Sequence, residues 1–268
     1  MTQTNMGTAV VTGASSGIGA LYADRLARRG YNLILVARNR QRLDALARDL
    51  ADKTGRTVEV IAADLNNKAD LARVEQALRA DSSITALVNN AGVGSATPLL
   101  AANPEDMQAM IDLNVTSLVR LTYAAVPGMV ARGKGTVINI SSIAAITPEV
   151  LNGVYSGSKA FVLAFSQSLH HELKDKNIRV QVVAPGATAT NFWEAAGVAI
   201  EQLPQEWVMK TEEMVDAALA GLDQGELVTI PALPDIADWQ AYEAARQKMM
   251  PNLSRTHAAE RYRTKAVA

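Results

Sequence analysis

The chain has 268 residues, of which 49% are hydrophobic and 20% charged, with a formal net charge of −1. That is the balance of a soluble globular protein, long enough for one large α/β domain or for two small domains, and it gives no electrostatic attraction to DNA or to an anionic membrane. With no cysteine in the sequence, disulfides and thiolate metal sites are excluded, and a reducing cytoplasm is the expected home.

Gly7 to Thr12 reads as a short buried strand that runs into Gly13-Ala14-Ser15-Ser16-Gly17-Ile18-Gly19. A helix follows to about Arg29, with Ile18, Leu21, Tyr22 and Leu26 near a helical period and Gly30 closing it. Asn32–Ala37 is the second strand, and Leu43, Leu46 and Leu50 stripe the charged helix after it. Thr57 to Ala62 is the third strand, followed directly by Asp64 and Leu65, then a helix from about Lys68 to Arg79. The fourth strand, Ile84 to Val88, ends in Asn89-Asn90-Ala91-Gly92.

Asn103-Pro104-Glu105-Asp106 is a helix start: an asparagine cap, a proline in the first turn, and acids at the positive end of the dipole. The spacing predicts one long helix from there to about Arg132, then a fifth strand Gly135–Ile140 and a loop from Ser141 to Asn152. A helix carrying Tyr155 runs to about Lys174, and Ile178 to Ala184 is the sixth strand, ending at Pro185-Gly186. Residues 187–210 read as a lid over the substrate. The lid holds Phe192, Trp193, Val198, Ile200, Leu203 and Trp207 in a chain with only 4% aromatics, which suits a hydrophobic substrate. Thr211 to Leu222 is a helix and Leu227 to Ile230 a short seventh strand. Residues 232–268 form a C-terminal helical extension, with an amphipathic helix at Ile236–Met249 and a polar, mobile tail from about Ser254.

Strands and helices alternate throughout, and most strands are continuous apolar runs. That pattern predicts a single domain over residues 1–268: a Rossmann-like, doubly wound parallel sheet with helices on both faces. None of the apolar runs approaches the ~18 residues needed to span a bilayer, and no secretory signal is visible. His170, His171 and His257 lack metal-ligand spacing, so no metal site is expected.

Gly13, Gly17 and Gly19 fall between a strand and a helix, where glycines let a pyrophosphate approach backbone N–H groups at a positive helix end. Ser15 and Ser16 add hydroxyl donors. The second strand ends Val36-Ala37-Arg38-Asn39-Arg40, with no carboxylate before Asp44. Arg38 therefore favours NADP over NAD, with Arg40 or Arg42 as helpers. Asp64 could accept a hydrogen bond from the adenine amino group, and small residues at Asn90, Ala91 and Gly92 let a cofactor lie against the backbone. Asn89 either shares that edge or pins the neighbouring loops.

Tyr155 and Lys159 sit one helical turn apart on one face. A cation about 4 Å from a phenol, at an effective dielectric near 20, favours the tyrosinate by roughly 4 kcal/mol, or about 3 pKa units. The pair alone occurs by chance on solvated helices. It becomes informative together with Thr12-Gly13-x-x-x-Gly17-x-Gly19, Asn89-Asn90-Ala91-Gly92, Asn114, Ser142 and Pro185-Gly186, all in order.

As a set these motifs resemble the short-chain dehydrogenase/reductase family, over about Gly7 to Ile230. The resemblance implies a sheet of about seven parallel strands, a nicotinamide cofactor and reversible carbonyl/alcohol chemistry. It implies that Tyr155 gives a proton to the carbonyl oxygen, that Lys159 lowers the tyrosine pKa and binds the nicotinamide ribose, and that Ser142 positions the carbonyl. Ser142 is preferred over Ser141 because the family's serine lies thirteen residues before the tyrosine. Asn114 resembles the residue holding a water that links Lys159 to solvent. The Thr188 backbone and Thr190 hydroxyl would hold the carboxamide. The implied catalytic set is Asn114, Ser142, Tyr155 and Lys159. The implied cofactor-binding set is Gly13, Ser15, Ser16, Gly17, Ile18, Gly19, Arg38, Asp64, Leu65, Asn90, Ala91, Gly92, Tyr155, Lys159, Pro185, Gly186, Thr188 and Thr190.

The expected activity is NADPH-dependent reduction of a moderately hydrophobic ketone, aldehyde or 3-oxoacyl group. A second reading is a regulatory protein that binds NADP(H) without turnover. Expected partners are the small-molecule carbonyl/alcohol substrate and copies of the same chain, with no nucleic acid and no membrane. Many family members end soon after the seventh strand with a Gly-Gly segment. Here Pro231-Ala232-Leu233-Pro234 and a further helix follow, so a homodimer stands beside the usual homotetramer.

Overall fold

The structure is a computed structural model that describes residues 6–262. Seven strands form one parallel sheet in the order β3-β2-β1-β4-β5-β6-β7. They are β1 Thr8–Thr12, β2 Asn32–Ala37, β3 Val58–Ala62, β4 Ile84–Asn89, β5 Gly135–Ile140, β6 Ile178–Val183 and β7 Val228–Thr229. The helices are α1 Gly17–Arg28, α2 Arg40–Thr54, α3 Lys68–Ala80, α4 Pro104–Ile111, α5 Leu118–Arg132, α6 Gly153–Leu173, α7 Phe192–Ala195, α8 Thr211–Gln224 and α9 Ile236–Met249. Parallel strands need crossovers, and the helices that supply them cover the sheet on both faces.

The continuous apolar runs in β1 and β2 follow from that covering. Alternate residues feed two cores. Ala9, Val11, Leu33 and Leu35 join α1, α2 and α8 on one face, while Val10, Ile34 and Val36 join α3, α5 and α6 on the other. A one-residue slip in either strand would exchange the two sets. Each fully buried leucine or isoleucine contributes about 1.5–3 kcal/mol, so both cores hold the register.

The chain runs outward from β1 to β3, then returns to place β4 on the other side of β1. The C-terminal ends of β1 and β4 therefore diverge at a topological switch point, where open α/β sheets form their crevice. Asn90 locks that junction. Its side-chain amide donates to the carbonyls of Thr12 (2.9 Å) and Gly13 (3.3 Å), and the Thr12 hydroxyl accepts from the Asn90 and Ala91 N–H groups at 3.0 Å each.

The long helix expected from Asn103 to Arg132 is not uniform. Its start is as expected: Asn103 accepts from Glu105 N–H at 3.1 Å, and Pro104 opens α4. Between α4 and α5, however, residues Asp112–Ser117 make a π-helical turn. The inserted residue breaks the 3.6-residue repeat, as such turns do where a side chain must be re-aimed. Asn114 lies in it, buried. The expected loop between β5 and α6 contains two short 3₁₀ turns, Ile143–Ala145 and Pro148–Val150. The seventh strand is half the expected length.

The segment expected to act as a lid leaves and rejoins the body at one place. Ala189 N–H donates to Met209 O and Met209 N–H to Ala187 O, both at 2.9 Å, and the Thr211 hydroxyl donates to Ala189 O at 2.6 Å. Residues 190–208 are thus a loop stitched shut at its base.

The chain divides into two compact units, one ending at Ala232 and one beginning at Leu233. In the second, Asp235 caps α9 by accepting from Ala237 N–H at 2.8 Å, and Trp239 stacks on Tyr242 with centroids 5.2 Å apart. The expected amphipathic character of α9 is weak, and none of its residues is buried. Its apolar side chains are spread around the axis rather than gathered on one stripe. The tail expected to be mobile from Ser254 lies partly outside the described residues. Among those residues no helix is long and apolar enough to cross a membrane.

Candidate active site

The residues singled out in the sequence gather at the C-terminal edge of the sheet, each in the segment that leaves a strand. Gly13 to Gly19 follow β1, Arg38 follows β2, Asp64 and Leu65 follow β3, and Asn90 to Gly92 follow β4. Ser142 follows β5, and Pro185 to Thr190 follow β6. Tyr155 and Lys159 come from the first two turns of α6, which Asn152 caps by accepting from Val154 N–H at 2.8 Å.

The glycine turn is built as a cradle. Gly13 and Gly17 take φ values of +64° and +54°, which side chains rarely adopt. A Cβ on Gly19 would lie 2.4 Å from the Gly13 carbonyl oxygen and 2.6 Å from the Asn90 amide nitrogen. Gly19 therefore lets α1 start hard against the turn. The first N–H groups of α1 have no partner within the helix, the first turn holds no acid, and the Ser16 hydroxyl makes no capping bond. Backbone donors, a positive helix end and a hydroxyl around an opening that no Cβ fills suit a dinucleotide pyrophosphate.

Arg38 is exposed at the rim of this crevice. The expected helper Arg40 instead pairs with Asp44 at 2.9 Å, and Arg42 contributes its backbone N–H to the Asn39 cap at 3.0 Å. The Asp64 carboxylate accepts from Asn66 N–H at 3.0 Å, while Asp70 accepts from Asp64 N–H at 2.9 Å. The Leu65 side chain is in the core, so only its backbone faces the edge.

Ser142 lies beside the Tyr155 phenol, where its hydroxyl acts to lower the phenol pKa. Ser142 also accepts from Ala144 N–H at 3.1 Å. The neighbouring Ser141 hydroxyl donates to the Lys159 carbonyl at 2.8 Å. The β5 exit is pinned by Ser141 N–H donating to Val183 O (2.7 Å) and Ile143 N–H to Pro185 O (3.0 Å).

Burial pushes the Tyr155 phenol up to about 12, outweighing the lowering by Ser142. The Lys159 ammonium lies 5.8 Å from the phenol ring centroid and donates to the Ile140 carbonyl at 2.9 Å. Burial pushes Lys159 itself down to about 8 from an ordinary 10.5. An unfolded chain then binds more protons here than the folded one between those values, so this residue's contribution raises stability as pH climbs through that window. Denaturant unfolding at roughly pH 7.5 and 9.5 should show the native protein gaining on Lys159→Met. An unchanged difference would argue against a buried ammonium.

Asn114 faces Val93 and α6. Its amide donates to Val93 O (2.9 Å) and Ser158 Oγ (3.1 Å), and its oxygen accepts from Val93 N–H (3.0 Å). A Cβ on Gly92 would lie 3.0 Å from the Asn114 oxygen and 3.5 Å from Lys159 Nζ, so both converge over that glycine. The Asn114 amide holds the loop after β4 and the helix of Tyr155 in one frame.

Thr188 and Thr190 sit at the lid base. The Thr188 carbonyl accepts the Trp193 indole N–H at 2.9 Å, and the Thr190 hydroxyl accepts from Phe192 N–H at 3.3 Å. Thr190 also abuts the glycine turn, 3.2 Å from where a Gly17 Cβ would sit. Of the lid aromatics, Phe192 faces the site, with its ring 5.6 Å from that of Tyr155, whereas Trp207 is exposed. Around Tyr155 and Phe192 lie Met107, Met110, Ala144, Leu151 and Val154, an uncharged wall.

The chain from residue 7 to 199 matches the family model described as short chain dehydrogenase. The chain belongs to the short-chain dehydrogenase family. Within that family it is similar to a short-chain dehydrogenase from Sphingobium yanoikuyae solved in complex with NADPH. That protein is 47% identical with a TM-score of 0.93, over 96% of this chain and 100% of the other. It is also similar to an alcohol dehydrogenase from Comamonas testosteroni described as bulky-bulky ketone specific, 45% identical with a TM-score of 0.89, over 97% and 99% of the two chains. Among curated relatives, the very-long-chain 3-oxoacyl-CoA reductase of Anas platyrhynchos is 40% identical over 69% of this chain and 60% of its own length. The match spans about 60% of the length of such curated relatives.

Three structural features of this family member escaped the sequence reading. Asn152 ties the loop after β4 to α6, its amide donating to Thr97 O at 2.6 Å and its backbone N–H to Ser95 O at 3.1 Å. Its place before a helix was a readable cap signal. Asn139, inside apolar β5, links Asn89 (2.9 Å) to Ser166 of α6 (2.9 Å), and Asn89 also donates to Thr122 at 3.0 Å. A polar residue inside an apolar strand was the clue, since burial demands such partners. Gly94, which meets Phe192, carried no signal.

Proposed function

We propose that this chain is an NADP(H)-dependent oxidoreductase that interconverts a carbonyl and an alcohol, acting mainly as a reductase of moderately hydrophobic ketones, aldehydes or 3-oxoacyl groups. The observation that carries the reading is the buried Tyr155 phenol with Ser142 and Lys159 beside it, facing an uncharged wall. NADPH, held by the glycine turn, Arg38, the Asn90–Gly92 backbone and the lid base, would supply the hydride.

The protein's part is a proton at a defined atom. A phenol with a pKa of about 10 or above carries its proton at neutral pH, which is the state a proton donor needs. Ser142 and Tyr155 both donate to the carbonyl oxygen as it gains negative charge, and Tyr155 then releases its proton to that oxygen. The Lys159 charge stands 5.8 Å from the ring to oppose the phenolate left behind. Asn114 is a positioning residue in this scheme, since its amide engages Val93 and Ser158 rather than the reacting atoms. A regulatory protein without turnover would have no use for Ser142, Tyr155, Lys159 and Asn114 gathered at one point. Cytoplasmic location and assembly as a homodimer or homotetramer complete the proposal. The cysteine-free sequence supports the first, and exposed Tyr123 and Phe161 on α5 and α6 support the second.

Assaying a panel of ketones, aldehydes and 3-oxoacyl esters with NADPH and NADH side by side tests the reading. NADPH oxidation with hydrophobic carbonyls is expected, and none across the panel would refute it. Arg38→Asp should weaken NADPH by at least about tenfold relative to NADH, because a charge-assisted hydrogen bond contributes about 1.5–3 kcal/mol. An unchanged NADPH affinity in that variant would remove Arg38 from the site.

A further inference from the structure

Phe192 is the first residue of α7, and its ring is held on three sides. Tyr155 lies at 5.6 Å with the rings tilted by 49°, and Trp193 meets it edge-on at 5.4 Å. The Trp193 indole is itself anchored on the Thr188 carbonyl. The third side is the backbone of Gly94. A Cβ there would lie 2.2 Å from Cζ and 2.8 Å from Cε2 of the ring, far inside van der Waals contact. Gly94 is not among the glycines with positive φ, so alanine suits its backbone. What alanine would meet is Phe192.

One of the two must then move, and the surroundings decide which. The segment carrying Gly94 is fastened at both ends. Asn114 takes both the N–H and the carbonyl of Val93, and Asn152 takes the carbonyls of Ser95 and Thr97. Phe192 belongs to a four-residue helix in a lid, latched to the segment by Ala96 N–H donating to Ala196 O at 3.1 Å. The ring is the part that yields.

We propose that Gly94 and Phe192 together set the size limit of the ketone: the missing side chain at Gly94 seats the Phe192 ring beside the Tyr155 phenol, and the seated ring occupies the space a second large substituent would need. This rests on the carbonyl-reductase reading of the same site. The ring faces Met107, Met110, Leu151 and Val154, so the space in question is apolar and takes an aryl or alkyl group. Gly94 acts on specificity only through Phe192.

The test is a double-mutant cycle with acetophenone and benzophenone as probes, read as the ratio of their kcat/KM values with NADPH. Phe192→Ala should raise the benzophenone-to-acetophenone ratio by about tenfold or more, the range that lost apolar volume gives in a pocket. Gly94→Ala should shift the ratio the same way in the native background and leave it unchanged in the Phe192→Ala background. Equal shifts in both backgrounds, or no shift with Phe192→Ala, would overturn the proposal. If Gly94→Ala does not fold, Phe192→Leu decides. A ratio between those of the native protein and Phe192→Ala supports the size limit, and a native ratio overturns it. Native protein that reduces neither these probes nor any other carbonyl of the panel refutes the reductase reading, and the size limit falls with it. Native protein that reduces carbonyls while its variants keep the native ratio refutes the size limit alone.

Discussion

Tyr155→Phe should lower NADPH-dependent carbonyl reduction by about a hundred- to ten-thousandfold, the range that a positioned acid–base group supplies, while NADPH binding stays close to native. The substitution removes one oxygen and leaves the ring, so the contact with Phe192 at 5.6 Å survives. Ser142 keeps its bond from Ala144 N–H and is not left unpartnered. The loss is therefore chemical rather than structural, and it should fall on kcat more than on KM. Single-turnover rates and a fluorescence titration with NADPH separate the two. A variant that retains turnover within about tenfold would remove Tyr155 as the proton donor, because one hydrogen bond to a ground-state carbonyl accounts for a loss of that size.

Lys159→Met should damage both binding and turnover. Methionine fills much of the volume of the lysine stem, so packing beneath Tyr155 is largely kept, but the charge and its bond to the Ile140 carbonyl are lost. If Lys159 serves the phenol and the cofactor ribose together, NADPH affinity should drop by about tenfold or more, one charge-assisted bond in energy. Turnover should fall by at least about a hundredfold. Native NADPH affinity in this variant would confine Lys159 to the phenol. The contrast between the two variants matters more than either alone: Tyr155→Phe should spare binding and Lys159→Met should not.

The sequence made the scaffold of this site legible. Gly13, Gly17 and Gly19 between a strand and a helix, the Asn103-Pro104 start, and the one-turn spacing of Tyr155 and Lys159 are local patterns, and local patterns follow from backbone sterics and helix geometry. What it did not reveal depends on contacts between distant segments. The π-helical turn around Asn114 inserts one residue into a helix whose apolar spacing reads as unbroken. Which lid aromatic faces the phenol, Phe192 rather than Trp207, depends on how the lid folds back. The electrostatic argument for the tyrosinate left out burial. Lys159 donates to the Ile140 carbonyl, and desolvation is the largest influence on both groups. The C-terminal helix had the right bounds, but its scattered apolar residues do not make a buried face.

The stitched base of the lid bears on how such proteins diversify. The pairing of residues 187–189 with 209–211 closes the loop before any residue beyond it contributes. Changing the length of such an excursion costs little, about 0.6 kcal/mol per doubling. The segment from 191 to 208 is in that sense a cassette. Its exchange could give the same hydride chemistry a new clientele, leaving the glycine turn and the two cores as inherited chassis.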